Sequence, residues 1–145
     1  MRKTILATAL ATLATAACFG FTSEAAEPAV RSEIIDAVNA ERSAAGMQAL
    51  SLRSDIEAAS DARASEASNV WSHTRPDGTP WYTIDNRIFG ENLAYGYDSA
   101  SEVVDAWMHS DTHREVMLSE KFTGACVGVF TDENGVDYYA MEFTL

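Results

Sequence analysis

The sequence predicts an α+β fold, because helical patterns come first along the chain and two strand patterns close it. The strands are expected over 125–131 and 136–143. Between them, Asp132-Glu133-Asn134-Gly135 is a favourable hairpin turn. Cys126 lies in the first strand among apolar neighbours, so we expect a buried thiol rather than a reactive one.

The first helix is predicted over 32–46, where Gly46 ends an amphipathic pattern. Its apolar face is formed by residues at helical spacing: Ile34, Ile35, Val38 and Ala45. Asn39 and Arg42 lie within this helix, and we expect their side chains to tie it to neighbouring loops by hydrogen bonds. Residues 27–31, which precede the helix, are interpreted as a linker.

The spacing of a capping box occurs three times, with a glutamate three residues after a serine or threonine: Ser54 and Glu57, Ser99 and Glu102, Thr112 and Glu115. The boxes predict helices over 54–67 and 99–110, and a short third helix whose first turn holds His113. The helix over 54–67 has an alanine face, which favours close packing on a helix or sheet.

The stretch 69–96 is irregular, with turn signals such as Pro76-Asp77-Gly78 and interleaved aromatic residues. We expect a long loop here. Loops of this length in a compact domain are often functional, and the aromatic residues are expected to pin the loop to the core.

Residues 1–26 are typical of an export signal, with two basic residues, an apolar region from Ile5 onwards and small residues near Ala26. The apolar region is too short and alanine-rich for a membrane span, which needs about 20 strongly apolar residues. We therefore expect cleavage near Ala26 and a secreted protein. Lipid attachment at Cys18 is the alternative, although Thr15 stands where the lipidation pattern usually has leucine.

The chain is acidic, with a formal net charge of −12. Such a surface repels phosphate backbones, so we expect no nucleic-acid partner and regard multivalent cations as suitable partners. Removal of the signal leaves Cys126 alone, which excludes an internal disulfide. The residues after the signal suffice for one core, and we expect a monomer with a single domain over 32–145.

One carboxylate lies between two histidines in the sequence: Glu91 between His73 and His113. Gly90 permits a tight backbone approach, and the acid that follows it has little freedom. Two imidazoles and a carboxylate are a workable ligand set for a divalent transition metal. The sequence therefore predicts a site formed by these three residues.

The motifs around these residues resemble the bacterial branch of the CAP superfamily, the cysteine-rich secretory, antigen 5 and pathogenesis-related 1 proteins. The resemblance spans 30–145 and lies in four pieces, which follow the family's order: Ser72-His73-Thr74, Gly90-Glu91-Asn92-Leu93-Ala94, Trp107-Met108, and Ser110 with His113-Arg114. It implies a three-layer α-β-α sandwich of the CAP type.

The resemblance also implies a central cavity in which two histidines and two glutamates gather, with a metal at the histidine pair. Carried over by motif, the cavity residues are His73, Glu91 and His113, and the metal ligands are His73 and His113. Ser110 stands near the position of the family's second glutamate. We therefore expect zinc or another divalent cation to be held weakly.

Two other arrangements use the same residues. His109 and His113 would share a face of one continuous helix and chelate zinc, but Ser110, Asp111 and Thr112 between them favour a helix break. Ser110, His113 and Glu91 would form an acyl-transfer triad, but no nucleophile elbow or oxyanion loop accompanies the serine.

The function expected from these observations is that of a secreted CAP-domain binding module with a histidine and glutamate cavity for a metal or small ligand, and with exposed loops that contact an extracellular ligand or protein partner. Catalysis is not required by this interpretation. The alternative is a metal- or serine-dependent hydrolase that acts on peptides or cell-wall material. The resemblance does not choose between them, because one fold hosts many activities.

Overall fold

A computed structural model describes residues 27–145, so the predicted export signal and Cys18 lie outside the described residues. Within this range the regular elements are α1 Glu27–Ala44, β1 Ser51–Leu52, α2 Glu57–Asn69, β2 Gly90–Tyr95, α3 Ala100–Met108, α4 Asp111–Met117, β3 Gly124–Thr131 and β4 Asp137–Thr144. Short 3₁₀ turns lie at Ser54–Ile56 and Trp81–Thr83. No helix in the described part of the chain is both long and apolar enough to cross a membrane.

The strands form one sheet in the order β1-β3-β4-β2. β4 pairs antiparallel with both β3 and β2, whereas the two-residue β1 runs parallel to β3. Helix α2 packs against one face of the sheet, and α1 lies on the other with α3 beside it. The α+β class and the α-β-α sandwich are thereby confirmed.

The two faces of the sheet are packed differently. On the α1 and α3 side the core is large and branched, and it includes Ile34, Val38, Val103, Trp107, Met141 and Phe143. On the α2 side the cluster is smaller, and α2 contributes only alanines to it, Ala64 and Ala67, which pack with Leu93, Ala140 and the partly buried Phe130. The alanine face predicted for this helix is therefore the surface that lets α2 approach the sheet closely.

Helix α1 is fixed by the two polar residues that were expected to tie it down. The Asn39 amide donates to the Leu50 carbonyl at 3.0 Å and accepts from the Leu50 amide at 2.7 Å. The buried Arg42 guanidinium donates to four backbone carbonyls, those of Gln48, Met117, Ser119 and Phe122. Backbone groups in loops without regular structure lack their usual backbone hydrogen-bond partners, and these two side chains take the place of such partners.

The linker predicted over 27–31 is wrong, because α1 already begins at Glu27. Arg31 is buried in this first part of the helix and donates to the Asp61 carboxylate of α2 and to the Val127 carbonyl of β3. These contacts across the sandwich hold the residues in helical conformation, and sequence periodicity alone does not reveal them.

Of the three predicted capping boxes, only the second forms. The Ser99 hydroxyl accepts from the Glu102 amide at 3.3 Å, while the Glu102 carboxylate accepts from the Asp98 amide. Ser54 instead begins a 3₁₀ turn and caps nothing. Helix α4 begins at Asp111, after Ser110, so Thr112 is inside it. His113 still lies in its first turn, as expected.

The two C-terminal strands and the turn between them are confirmed. β3 begins one residue before its predicted start, β4 is shifted by one residue towards the C-terminus, and Gly135 adopts φ 77° in the turn. Cys126 is fully buried in β3, as expected.

The loop predicted over 69–96 is wrong at its end, because β2 occupies Gly90–Tyr95. This strand was missed because Glu91 and Asn92 are polar and yet buried.

We predict that Gly128→Ala destabilises the protein by more than about 3 kcal/mol. A Cβ atom at position 128 would lie 1.9 Å from the Ser60 carbonyl oxygen of α2, and this backbone atom cannot move aside. Chemical denaturation followed by circular dichroism measures the loss of free energy of unfolding.

Gly124→Ala is the matched control, because its Cβ would meet only side-chain atoms, the nearest being Arg53 Cγ at 2.7 Å. We expect this variant to lose less, about 1 kcal/mol. Equal losses in the two variants would contradict the close packing of α2 on β3.

Candidate functional site

Glu91 lies in the edge strand β2, on the sheet face that α2 covers, and its side chain is almost fully buried. Its two carboxylate oxygens contact Arg63 of α2, with Nε at 2.7 Å and Nη2 at 3.1 Å. Oε1 also contacts His73 Nδ1 at 2.7 Å. Gly90 is required here because a Cβ atom would lie 2.7 Å from the Phe122 ring. The close backbone approach expected at Gly90 therefore occurs within a strand, and this strand holds the carboxylate.

His73 lies at the start of a small loop that is closed on itself. The Trp81 amide donates to the His73 carbonyl at 3.1 Å, and a β-bridge joins Thr74 to Pro80. The His73 side chain is 55% exposed, and its Nδ1 is bound to Glu91. No hydrogen bond involves its Nε2 among the described residues, so that nitrogen is available to a ligand.

His113 is positioned by contacts from two elements. Its Nδ1 lies 2.7 Å from the Ser110 hydroxyl, and its carbonyl accepts from the Asn92 side chain of β2 at 3.0 Å. Burial, and next the positive charge that His73 can carry, lower the pKa of His113. The imidazole therefore stays neutral to lower pH than an ordinary histidine and retains a lone pair for a ligand.

The two imidazoles line one cleft of about 400 Å³, together with Trp71, Ser72, Thr74 and Leu93. A second cleft of about 270 Å³ shares Trp71, Leu93 and His113 with the first and adds Ser110, Tyr95 and Tyr97. The structure therefore brings His73, His113 and Ser110 to adjoining clefts. Glu91 lies beneath His73 and lines neither cleft.

The predicted metal site has two suitable protein ligands, the imidazole nitrogens of His73 and His113, and the described residues offer no third. Each imidazole has its Nδ1 beside an oxygen, as metal-binding histidines usually do, which leaves Nε2 for the ion. Both Glu91 oxygens are bound to Arg63, so this carboxylate is placed to orient His73. In residues 27–145, no group of three or more histidine, cysteine, aspartate or glutamate side chains is arranged to hold a metal ion.

The structure forms neither of the two alternatives, the zinc pair of His109 and His113 and the triad of Ser110, His113 and Glu91. Helix α3 ends at Met108 and α4 begins at Asp111, so His109 and His113 do not share one helix. The His109 side chain is 77% exposed. A Ser110, His113 and Glu91 triad fails because Glu91 contacts the other imidazole.

A network of buried charges under the cleft was not found from the sequence. Arg63 is fully buried in α2, and besides Glu91 it donates to the Glu66 carboxylate at 2.7 Å and to the Ser72 carbonyl. Arg75 also donates to Glu66. The sequence contains one indication of this network, the pair Arg63 and Glu66, three residues apart on an alanine-rich helix. The network ties α2 to the loop that carries His73.

Glu142 is the least expected member of this region. It lies in β4 directly opposite Glu91 on one side and Cys126 on the other, and it is fully buried. No hydrogen-bond donor of another described residue reaches either of its carboxyl oxygens, so its own proton, donated to the Glu91 carboxylate, is the hydrogen bond left to it.

The two facing carboxyl groups have opposite pKa displacements. Burial, and next the negative charge of Glu91, raise the pKa of Glu142 well above its ordinary value. Burial also opposes the ionisation of Glu91, but its contacts with His73 and Arg63 outweigh it, so the pKa of Glu91 is lowered. The pair therefore holds one negative charge, on Glu91, and Glu142 stays a neutral acid.

We predict that Glu142→Gln stabilises the protein at neutral and higher pH. The unfolded chain releases the Glu142 proton near pH 4.5, whereas the folded protein keeps it to higher pH. Between these values folding takes up a proton, so the wild-type free energy of unfolding falls as pH rises. The variant has no such proton, so its advantage should be absent below pH 4.5 and reach at least about 1 kcal/mol by pH 8.

Urea denaturation at a series of pH values tests this expectation. Glu115→Gln, which removes an exposed carboxylate from α4, is the control and should change stability by less than about 0.5 kcal/mol. A Glu142→Gln advantage that shrinks as pH rises would show that Glu142 is ionised in the folded protein.

Comparison with known proteins agrees with this fold. The model of the cysteine-rich secretory protein family, CAP, matches residues 35–143. The uncharacterized protein YkwD of Bacillus subtilis is 31% identical over an alignment of 108 residues, and the match covers 69% of this chain and 42% of YkwD. The chain thus spans about two fifths of that relative's length.

Two solved structures share the fold. An extracellular protein containing a SCP domain from Bacillus anthracis has a TM-score of 0.72 at 23% identity, over 81% of this chain and 40% of that one. An outer surface protein from Borrelia burgdorferi has a TM-score of 0.64 at 19% identity, over 86% of this chain and 95% of that one. The family match, together with this shared fold, establishes that the chain belongs to the CAP family of cysteine-rich secretory proteins.

Proposed function

We propose that this chain is an extracellular binding module whose cleft holds a divalent metal ion, zinc by preference, between His73 and His113. The observation that supports the proposal is that both imidazoles line one cleft and each has its Nδ1 beside an oxygen. In each ring the other nitrogen is then the one left for a ligand.

The residues around the imidazoles supply the chemistry that such a site needs. When Nδ1 of His73 donates its proton to Glu91, the tautomer is fixed with the lone pair on Nε2, and the carboxylate increases the basicity of the ring. Ser110 has the same role beside His113, as an uncharged and weaker partner. A bound ion would act as a Lewis acid, and water would complete its coordination. With two protein ligands, we expect the ion to be weakly held.

A location outside the cytoplasm is part of this proposal. The export signal expected at residues 1–26 supports it. The similar structures from Bacillus anthracis and Borrelia burgdorferi are described as extracellular and outer surface proteins, respectively. A site without thiolate ligands also suits an oxidising environment, since imidazole nitrogens do not form disulfides.

A serine-dependent hydrolase is the second candidate, and a single contact favours it, that of Ser110 with His113 at 2.7 Å. The contact is local, three residues apart, and uses the Nδ1 nitrogen. The carboxylate that would complete a triad is bound to His73 instead. Binding therefore has the better support.

We predict that His73→Ala and His113→Ala each weaken zinc binding at least about tenfold, because each removes one of two ligands. Glu91→Gln should weaken it less, since the amide oxygen still accepts a hydrogen bond from His73. Calorimetric titration of the metal-free protein, with NMR shifts of the three histidine rings, measures both affinity and site.

His109→Ala is the matched control, because His109 is exposed and lies outside the cleft, and zinc affinity should be unchanged. Zinc binding that is lost with His109 and kept without His73 would overturn the site. Hydrolysis of a peptide or cell-wall substrate that disappears in both His73→Ala and His113→Ala would make the protein an enzyme.

A further inference from the structure

The β3 edge of the sheet is covered by partners from other elements. At its start the two-residue β1 runs alongside it, and further along the strand two side chains take the place of β1. Arg31 of α1 donates to the Val127 carbonyl at 2.6 Å, and Asp61 of α2 accepts from the Val129 amide at 3.2 Å. An unpaired strand edge is a template for another strand, so these contacts hinder pairing along β3.

The opposite edge of the sheet is β2, and the register shows which of its residues face outwards. In an antiparallel ladder, pairs of residues that exchange hydrogen bonds alternate with pairs that do not. The Gly96 amide donates to the Asp137 carbonyl at 2.9 Å, so the exchange falls on the even-numbered residues of β2. The backbone groups of the odd-numbered residues therefore point away from β4, and these residues are Glu91, Leu93 and Tyr95.

Trp107 makes the one hydrogen bond that reaches the backbone of this edge among residues 27–145. Its indole nitrogen donates to the Leu93 carbonyl at 2.9 Å, which agrees with the outward direction of that group. The Leu93 amide and both backbone groups of Tyr95 have no hydrogen-bond partner in the same part of the chain. Two donors and one acceptor are therefore left for a partner.

These backbone groups lie where the two clefts meet. Leu93 lines both clefts, and Tyr95 lines the smaller one. Trp71 and His113 of α4 also line both clefts, so the edge runs between the loop on one side and α4 on the other. The edge is thus recessed, and it has room for a single extended chain rather than for the edge of a second sheet.

We propose that the β2 edge from Leu93 to Tyr95 binds an extended peptide segment of a partner polypeptide, which adds to the sheet as a short strand. The unpaired main-chain groups select this occupant, because an extended backbone offers carbonyls for the edge amides and an amide for the edge carbonyl at the same spacing. Side chains of the added strand alternate between the two sheet faces, so one set lies beside the rings of Trp71 and Tyr95.

Other occupants match these groups less well. A glycan has hydroxyl groups but no repeat of amides and carbonyls at strand spacing. A second copy of the chain offers its own β2 edge, but both edges are recessed, and two chains of formal net charge −12 repel each other. The proposal uses main-chain groups of β2 alone, so it does not depend on a metal at His73 and His113.

The test is NMR titration of the full chain, kept metal-free by a chelator, with a capped hexapeptide of lysine followed by alternating valine and threonine. We expect shifts centred on the Leu93 and Tyr95 amides and slower hydrogen exchange at both, because each N–H gains a carbonyl partner. The same peptide with every backbone nitrogen methylated keeps its side chains but loses its donors. It should bind at least about tenfold more weakly.

Two variants isolate one edge donor. Tyr95→Pro removes the outward N–H and leaves the ladder with β4 intact, since proline is tolerated where an edge N–H faces away from the sheet. Tyr95→Val loses the same ring but keeps the N–H, so it is the matched control. We expect the proline variant to bind the peptide about fivefold more weakly than the valine variant.

Equal affinity of the two variants, equal affinity for the two peptides, or no binding of the unmodified peptide at about 1 mM would overturn the proposal. A dimer in sedimentation that is lost only in Tyr95→Pro would replace the peptide with a second copy. If circular dichroism shows that the proline variant is unfolded, the methylated peptide decides the question on the wild-type chain.

Zinc titration of Tyr95→Val keeps this result separate from the metal site. Tyr95 lies outside the cleft that both histidines line, so zinc affinity should be that of the wild type whichever way the peptide result falls.

Discussion

The candidate site depends on one buried ion pair, Arg63 with Glu91. Each side chain is at most 1% exposed, and the guanidinium contacts both carboxylate oxygens. Burial of two charges costs several kcal/mol per ion, and it is offset only when the remaining donors and acceptors are satisfied. Here they are: Glu66 and the Ser72 carbonyl take the other Arg63 donors, and His73 takes the second contact of Glu91. Removal of Arg63 would leave the buried Glu91 without its guanidinium partner, at a cost of about 3 to 5 kcal/mol, whereas removal of Glu91 would leave Arg63 paired with Glu66.

This ion pair also explains why Glu142 is tolerated in the core. Arg63 carries one positive charge, and Glu91 with Glu66 already supply two negative ones, the second shared with Arg75. A third carboxylate directly across the strand from Glu91 would find no cation left. The neutral acid is therefore the form that fits, because the surrounding donors are committed elsewhere and a protonated Glu142 can itself donate to the Glu91 carboxylate. Such a group lowers stability as the pH rises, which natural proteins accept where a site benefits from it.

The sequence predicted the parts of this protein that are local, and missed those that depend on distant contacts. The fold class, the hairpin at the C-terminal end and the second capping box follow from spacing within a few residues. His73, Glu91 and His113 were found because they lie in short motifs. Strand β2 was missed because its buried polar residues break the apolar pattern of a strand, and their partners Arg63 and His113 lie 28 and 21 residues away. Arg63 was missed for the same reason, since an arginine on an alanine face is ordinarily a surface residue.

The two histidines of the cleft are consequently held by different contacts, local in sequence for His113 and distant in sequence for His73. His113 is held through a serine three residues away and an amide from β2, so its position follows from the start of α4. His73 is half exposed on a small loop, and within residues 27–145 its ring is hydrogen-bonded to Glu91 alone, which Arg63 links to α2. A substitution that weakens the packing of α2 on the sheet should therefore displace the His73 imidazole more than the His113 imidazole. The close approach of α2 at Gly128 and the ion pair at Arg63 therefore contribute to the position of the His73 imidazole as well as to the core.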